Sequence, residues 1–327
     1  MRFILHIGIN KTGTSSLQKT FSENADALRA LGICYPETGR GGGAAHHDLS
    51  RALKGMPAER LGLPAAWREA FLAEAESCPT CLVSSEDFAT MPDPAMAATL
   101  FPPGETRVVV YLREHVSHLV SWYQQYIHST PSSLDFSDFR KLNRKAFHSI
   151  LDGWARVYGS ENLVVRLYDR AALTNSDIVS DFASSVFPQA QAKLSETGRA
   201  NNPSLAGNLF FLKRALNLVS SREALTSRIQ HELSRLTLFD PTFQGRIPVD
   251  AATVSDLAAQ FARDRKALAR DFDIALRPPK GAIEGPASPD LSRLRADIDL
   301  IRSEAVKRNF QIVPLIDRLL AGFAPGG

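Results

Sequence analysis

Three cysteines in 327 residues are too few for a disulfide framework. Cys78-Pro79-Thr80-Cys81 is a C-x-x-C, but no second pair completes a zinc site. A redox pair opens a helix, whereas Cys81 opens an apolar run, so these thiols read as residues at a strand edge. Long apolar runs are also missing: none approaches the ~20 residues that span a bilayer. The apolar run at the N-terminus is six residues long, lacks a small-residue cleavage site and leads straight into a glycine-bounded loop, unlike a signal peptide. The expectation is a soluble, cytoplasmic protein. Charge of one sign is missing too: 38 basic residues face 35 acidic ones, for a net +3. No cluster concentrates that excess, which argues against a nucleic-acid partner and leaves only local anion sites.

What is present begins at residue 2. Arg2-Phe3-Ile4-Leu5-His6-Ile7 reads as a buried strand, Gly8 to Gly13 as a loop, and helical spacing follows from Leu17. Strand, glycine-bounded loop and helix start form a phosphate cradle, because first-turn amides and the helix dipole favour an anion. The triphosphate P-loop reads G-x-x-x-x-G-K-[ST]. Gly8 and Gly13 keep its spacing and Ser15 takes the hydroxyl position, but Thr14 replaces the lysine, which sits inside the loop as Lys11.

Further along, Leu17, Phe21, Leu28 and Leu31 predict one helix ending at Gly32, and Ile33-Cys34-Tyr35 a short strand. Residues 36 to 64 are loop-like, with one short helix near Leu49. They carry a glycine run and His46-His47-Asp48. A helix from Trp67 to Glu76 precedes a strand at 80–85 that runs into Glu86. Arg107-Val108-Val109-Val110-Tyr111-Leu112 is the strongest strand, and Arg113 closes it. Helices at 116–127 and 147–158 precede a fifth strand at 162–168, and a further helix carries Ile178 to Val186. Strands alternating with helices predict an α/β fold with a parallel sheet covered on both faces and ligands beyond the carboxyl ends of the strands.

From about 203 the strands stop. Helices are expected from Pro203, over 222–236 and 250–272, and after a linker at 277–290, with Leu291, Leu294, Ile298 and Ile301 on one face. The division expected is a P-loop-like domain over 1–245 and a C-terminal helical extension over 246–327, packed on the first domain or supporting a homodimer.

Arg113 and Ser121 lie eight residues apart, a little over two helical turns, so one helix can aim both at one ligand. Charge plus a hydroxyl donor suits a second phosphate. Lys11-Thr12-Gly13-Thr14-Ser15-Ser16 resembles the 5′-phosphosulfate loop of sulfotransferases that use 3′-phosphoadenosine-5′-phosphosulfate (PAPS). Tyr111-Leu112-Arg113 with Ser121-Trp122-Tyr123 resembles their 3′-phosphate motif. Over roughly residues 1–210 the chain is most similar to bacterial members related to carbohydrate sulfotransferases.

The resemblance implies a P-loop-type fold and metal-independent, in-line transfer of a sulfuryl group from PAPS to an acceptor hydroxyl. Lys11 would stabilise charge on the leaving phosphate. Amides of residues 12–16, with the Thr14, Ser15 and Ser16 hydroxyls, would hold the 5′-phosphate. Arg113 and Ser121 would hold the 3′-phosphate, with Arg199, in Thr197-Gly198-Arg199-Ala200-Asn201-Asn202, as a further contact. The acceptor implied is a carbohydrate or glycolipid, with other lipids and small metabolites open.

For the general base, Glu86 comes first, because it follows the strand before Arg113, where cytosolic members carry a histidine. His47 comes second and Glu37 third, while His6 reads as a core histidine. Trp122 and Tyr123 could neighbour the adenine, with Tyr123 better suited to the core. Two other readings compete: a kinase using ATP–Mg²⁺, opposed by Thr14 at the lysine position, and a non-catalytic nucleotide-binding protein, opposed by the presence of Lys11, Arg113, Ser121 and a candidate base.

Overall fold

A computed structural model of the chain describes residues 1–190, 204–220 and 226–322. These residues divide into two compact units. The first comprises Met1–Glu114, the described part of 146–200, and Phe261–Leu276; the second comprises His115–Lys145, the described part of 201–260, and the described residues after Arg277. The boundary expected at 245 falls inside the second unit, and the segment expected as one helix over 250–272 contributes to both.

The first unit is built on five strands: β1 (Arg2–His6), β2 (Ile33–Cys34), β3 (Thr80–Ser84), β4 (Thr106–Leu112) and β5 (Leu163–Leu167). All pair in parallel, in the order β2-β3-β1-β4-β5, as the alternating sequence pattern predicts. The helices of this unit, through Val186, are α1 (Thr14–Glu23), α2 (Ala25–Arg29), α3 (His47–Leu53), α4 (Trp67–Ala75), α5 (Ala95–Ala98), α8 (Phe147–Tyr158) and α9 (Ile178–Val186), while α6 (His115–Ser129) and α7 (Phe136–Leu142) belong to the second unit.

Successive strand residues point to opposite faces, and both faces are apolar. Phe3, Leu5, Val83, Val108, Val110 and Leu112 pack with Leu49, Phe71, Leu151, Trp154 and Leu268. Ile4, Leu82, Val109 and Tyr111 pack on the other side with Leu17, Phe21, Leu28, Val179 and Phe182. The sheet thus carries α1, α2 and α9 on one face and α3, α4, α8 and the helix Ala262–Phe272 on the other. One buried polar knot reinforces this unit: the fully buried Asp181 accepts from Tyr111, from both arms of Arg166 and from the Thr174 amide.

Several local expectations change. The first helix breaks at Asn24 (φ −114°), where the backbone amide, at 3.1 Å, and the side-chain amide, at 2.8 Å, both donate to the Thr20 carbonyl and close the last turn. The segment over 250–272 is two helices, Ala251–Gln260 and Ala262–Phe272. The helix expected from Pro203 starts at Gly207, and Pro203 lies outside the described residues. Leu291 precedes the helix Leu294–Lys307 and is 76% exposed, so the buried stripe there is Asp297, Ile301 and Ala305.

The second unit is mainly helical. Glu232 on the helix Ser227–Leu236 is buried and accepts from the Gln311 and Ile312 amides at the head of the helix Val313–Gly322. Lys213, 1% exposed, donates to the Thr130 carbonyl at 3.1 Å, while Asn217 donates to the carbonyls of Ile127, Thr130 and Ser132. Among the described residues, no helix is long and apolar enough to cross a membrane.

Candidate active site

The strand order places β1 between β3 and β4, so the loops leaving these three strands emerge side by side at the carboxyl edge of the sheet. They carry Lys11, Glu86 and Arg113.

The loop after β1 is tied down from within. The Ile7 amide donates to the Val109 carbonyl at 3.0 Å, and the buried Thr12 hydroxyl turns inward to the Ile9 carbonyl at 2.6 Å. Lys11 adopts a left-handed conformation (φ 67°) and Gly13 another (φ 79°), which folds the loop back before α1. At Gly8 a Cβ would lie 2.5 Å from Thr14 Cγ2, so close approach of loop and helix requires glycine there. The amides of Ser16 and Leu17 bond the Gly13 carbonyl at 3.1 and 3.2 Å, while those of Thr14 and Ser15 lie in the opening turn, where an α-helix supplies no acceptor. Ser15 is exposed and Ser16 half-buried.

Arg113, just past β4, reaches across to the same loop: Nη1 donates to the Lys11 carbonyl at 3.4 Å, and the guanidinium sits over the Tyr168 ring at 5.9 Å. Burial first, and then the Arg113 charge, push the Lys11 ammonium below its ordinary range. A bound anion would offset both effects, which suits the loop to an anionic ligand.

On the other side of β1, Glu86 follows β3. Its Oε1 accepts from the Thr14 hydroxyl and its Oε2 from Gln18 Nε2 at 2.9 Å, both from α1. Burial favours the protonated carboxyl. The bonds from Gln18 and Thr14, the backbone and the nearby His47 outweigh it, so the carboxyl lies below its usual range and is ionised at neutral pH. The Thr14 hydroxyl has one hydrogen, and Glu86 takes it. A phosphate near Thr14 therefore meets the amide and not a donating hydroxyl.

The loop after β2 closes over the end of β3. The His46 amide donates to the Ser84 carbonyl at 2.8 Å. His46 is fully buried: Nδ1 accepts from the Ser84 amide at 3.2 Å, so Nε2 carries the hydrogen and donates to the Pro36 carbonyl at 2.9 Å. Burial pushes its pKa down to about 3, and the ring is neutral. His47, the first residue of α3, lies over the β3 end instead. Its Nδ1 is 2.9 Å from Ser85 Oγ and its Nε2 3.8 Å from Glu86 Oε2. Glu37 points to solvent and pairs with Arg40 at 3.7 Å. His6 is buried against Ser84 Oγ at 2.8 Å, and burial, partly opposed by Glu86, holds its pKa near about 4.

Lys11, Arg113, Glu86 and His47 therefore sit at neighbouring strand ends. Gln18 was not expected among them. Its signal was a polar residue four positions after Thr14, on the same face of a helix that is otherwise apolar there. Ser121 lies on α6 in the second unit and is 8% exposed. In that unit Tyr123 is buried, with its hydroxyl on the Leu134 carbonyl at 2.9 Å, and Trp122 lies under the Lys145 ammonium at 4.5 Å. Arg199 lies outside the described residues. Cys34, Cys78 and Cys81 are free and buried. Among the described residues, no cluster of His, Cys, Asp or Glu could hold a metal ion.

The sequence matches no protein-family model. No curated protein matches it either. Among solved structures, the chain is similar to a sulfotransferase from Alicyclobacillus acidocaldarius, at 15% identity and a TM-score of 0.46, covering 90% of this chain and 99% of that one. It is also similar to mouse sulfotransferase SULT7A1 complexed with PAP, at 12% identity and a TM-score of 0.31, covering 71% and 66%. A retinol dehydratase in complex with androsterone and inactive cofactor PAP gives 12% identity and a TM-score of 0.34, covering 85% and 84%. Identities and TM-scores of this size assign no function, which rests on the chain's own residues.

Proposed function

We propose that the chain is a sulfotransferase that moves the sulfuryl group of PAPS to an acceptor hydroxyl. One observation carries the reading: Lys11 and Arg113, from adjacent strand ends, meet at a glycine-bounded loop that leads directly into α1, while the triphosphate-lysine position is occupied by Thr14. A lysine inside the loop suits a donor with a single phosphate at this end, bonded through oxygen to sulfur.

In this reading the opening amides of α1 and the Ser15 and Ser16 hydroxyls hold the 5′-phosphate. Lys11 faces the bridging oxygen and stabilises the charge left on it. Arg113 holds the 3′-phosphate. Ser121 joins it on the strength of the sequence spacing alone, and Arg199 on the sequence motif alone. The reaction is a direct displacement at sulfur, with no step assigned to a metal. The acceptor hydroxyl belongs to a carbohydrate or glycolipid, an assignment that follows the sequence resemblance and not the fold.

Sulfur-labelled PAPS, offered with panels of glycosides, glycolipids and phenols, tests the transfer. Label should reach an acceptor in the wild type, and Lys11→Ala should lower kcat by two or more orders of magnitude, on the scale of losing one donor to a developing anion. Undiminished turnover in Lys11→Ala would remove the leaving-group role.

A further inference from the structure

Within the sulfotransferase reading, on which this step rests, we propose that His47 Nε2 takes the acceptor proton and that Glu86 is a positioning residue which holds the counter-charge beside it. Both oxygens of Glu86 are already engaged by α1, Oε1 by Thr14 and Oε2 by Gln18. A carboxylate so held is braced against the phosphate-loop helix, and each bond it accepts makes it a weaker base.

His47 is placed differently. Its side chain is 39% exposed, against 22% for Glu86, so it is the more open of the two to an acceptor. Ser85 Oγ accepts from the Asp87 amide at 3.1 Å and lies 2.9 Å from His47 Nδ1, so it has a second lone pair for a hydrogen there. We take the tautomer with that hydrogen on Nδ1, which leaves Nε2 with its lone pair. Glu86 Oε2 stands 3.8 Å from Nε2, near enough to attract a positive ring and too far to capture its hydrogen.

The other charges around the ring are accounted for. Asp87 lies 3.8 Å from Nδ1, and Arg51 pairs it at 2.8 Å while reaching Asp48 at 3.4 Å. The neighbouring His46 is buried and neutral. Glu86 is thus the carboxylate beside the ring without a cationic partner among these groups.

In the step, the acceptor O–H gives its proton to His47 Nε2 as its oxygen bonds sulfur. The bond from sulfur to the 5′-phosphate oxygen breaks, and that oxygen keeps the electron pair beside Lys11. The imidazolium formed faces Glu86.

The test is the pH dependence of kcat with labelled PAPS for the wild type, His47→Ala and Glu86→Gln, using the most active acceptor of the panels. Calorimetry with adenosine 3′,5′-bisphosphate checks that each variant is folded. His47→Ala should lose two to four decades of kcat, lose the acid limb of the profile, and recover part of its rate with added imidazole. Glu86→Gln should lose on the order of tenfold and keep the acid limb. A larger loss in Glu86→Gln, or an acid limb that survives in His47→Ala, overturns the assignment. Absence of adenosine 3′,5′-bisphosphate binding in the wild type overturns the donor reading instead, so the two failures are told apart.

Discussion

Replacing Gln18 by methionine isolates the bonds that hold Glu86. The two side chains are close in volume, Gln18 is 4% exposed, and methionine adapts to its site. Two bonds disappear: one to the Glu86 carboxylate at 2.9 Å and one to Ser84 Oγ at 3.3 Å. A bond to a charged group contributes about 1.5–3 kcal/mol and a neutral one about 0.5–1.5 kcal/mol, so the cost near neutral pH should be about 2–4 kcal/mol. Only the first part depends on pH. Glu86 is held below its unfolded value of 4.5, so its contribution is fully present above that value and fades as pH falls through the lower folded value. Urea unfolding followed by circular dichroism at neutral pH and at successively lower pH should show the difference between wild type and Gln18→Met narrowing as pH falls below the unfolded value. A difference that stays constant with pH would mean that Gln18 acts by packing and that Glu86 is not held as an anion.

Gly8→Ala places a Cβ 2.5 Å from Thr14 Cγ2, which should cost about 1–3 kcal/mol and disturb the Thr14–Glu86 bond; thermal unfolding reads the first and weakened adenosine 3′,5′-bisphosphate binding the second. Asp181→Ala leaves the buried Tyr111 hydroxyl without its acceptor while the half-exposed Arg166 turns to water, and the loss expected in denaturant titration is about 1–3 kcal/mol. His6 and His46 have folded values of about 4 and about 3, below the unfolded 6.5, so the unfolded chain binds protons first. Stability should be full above 6.5 and fall as pH drops toward 4, and His46→Gln should flatten that fall.

Much of the sheet was legible because its signals are local. Val108 to Leu112 form an unbroken β-branched and apolar run, and a parallel strand covered on both faces needs just that. Gly159 ends α8 with φ 82°, a backbone that only glycine adopts easily. The strand-end positions of Lys11, Glu86 and Arg113 followed from the strands themselves. Less legible were features that depend on distant partners. Asn24 is compatible with a helix, and its departure to φ −114° has no local mark in the sequence. Thr14 and Glu86 are separated by 72 positions, so nothing in the spacing of the loop shows that the Thr14 hydroxyl turns to a carboxylate. The division into units escaped for the same reason. The chain leaves the first unit at His115 and returns to it at Ala146 and again at Phe261, a path that composition does not mark.

The central claim is that the loop from Gly8 to Ser16, with Lys11 and Arg113, serves a donor carrying a 3′-phosphate. Titration calorimetry of the wild-type chain with adenosine 3′,5′-bisphosphate and with ATP–Mg²⁺ tests it most directly. The account predicts tight binding of the bisphosphate, at least tenfold weaker binding of ATP–Mg²⁺ (about 1.4 kcal/mol), and loss of that preference in Arg113→Ala. Preferential binding of ATP–Mg²⁺ would contradict it.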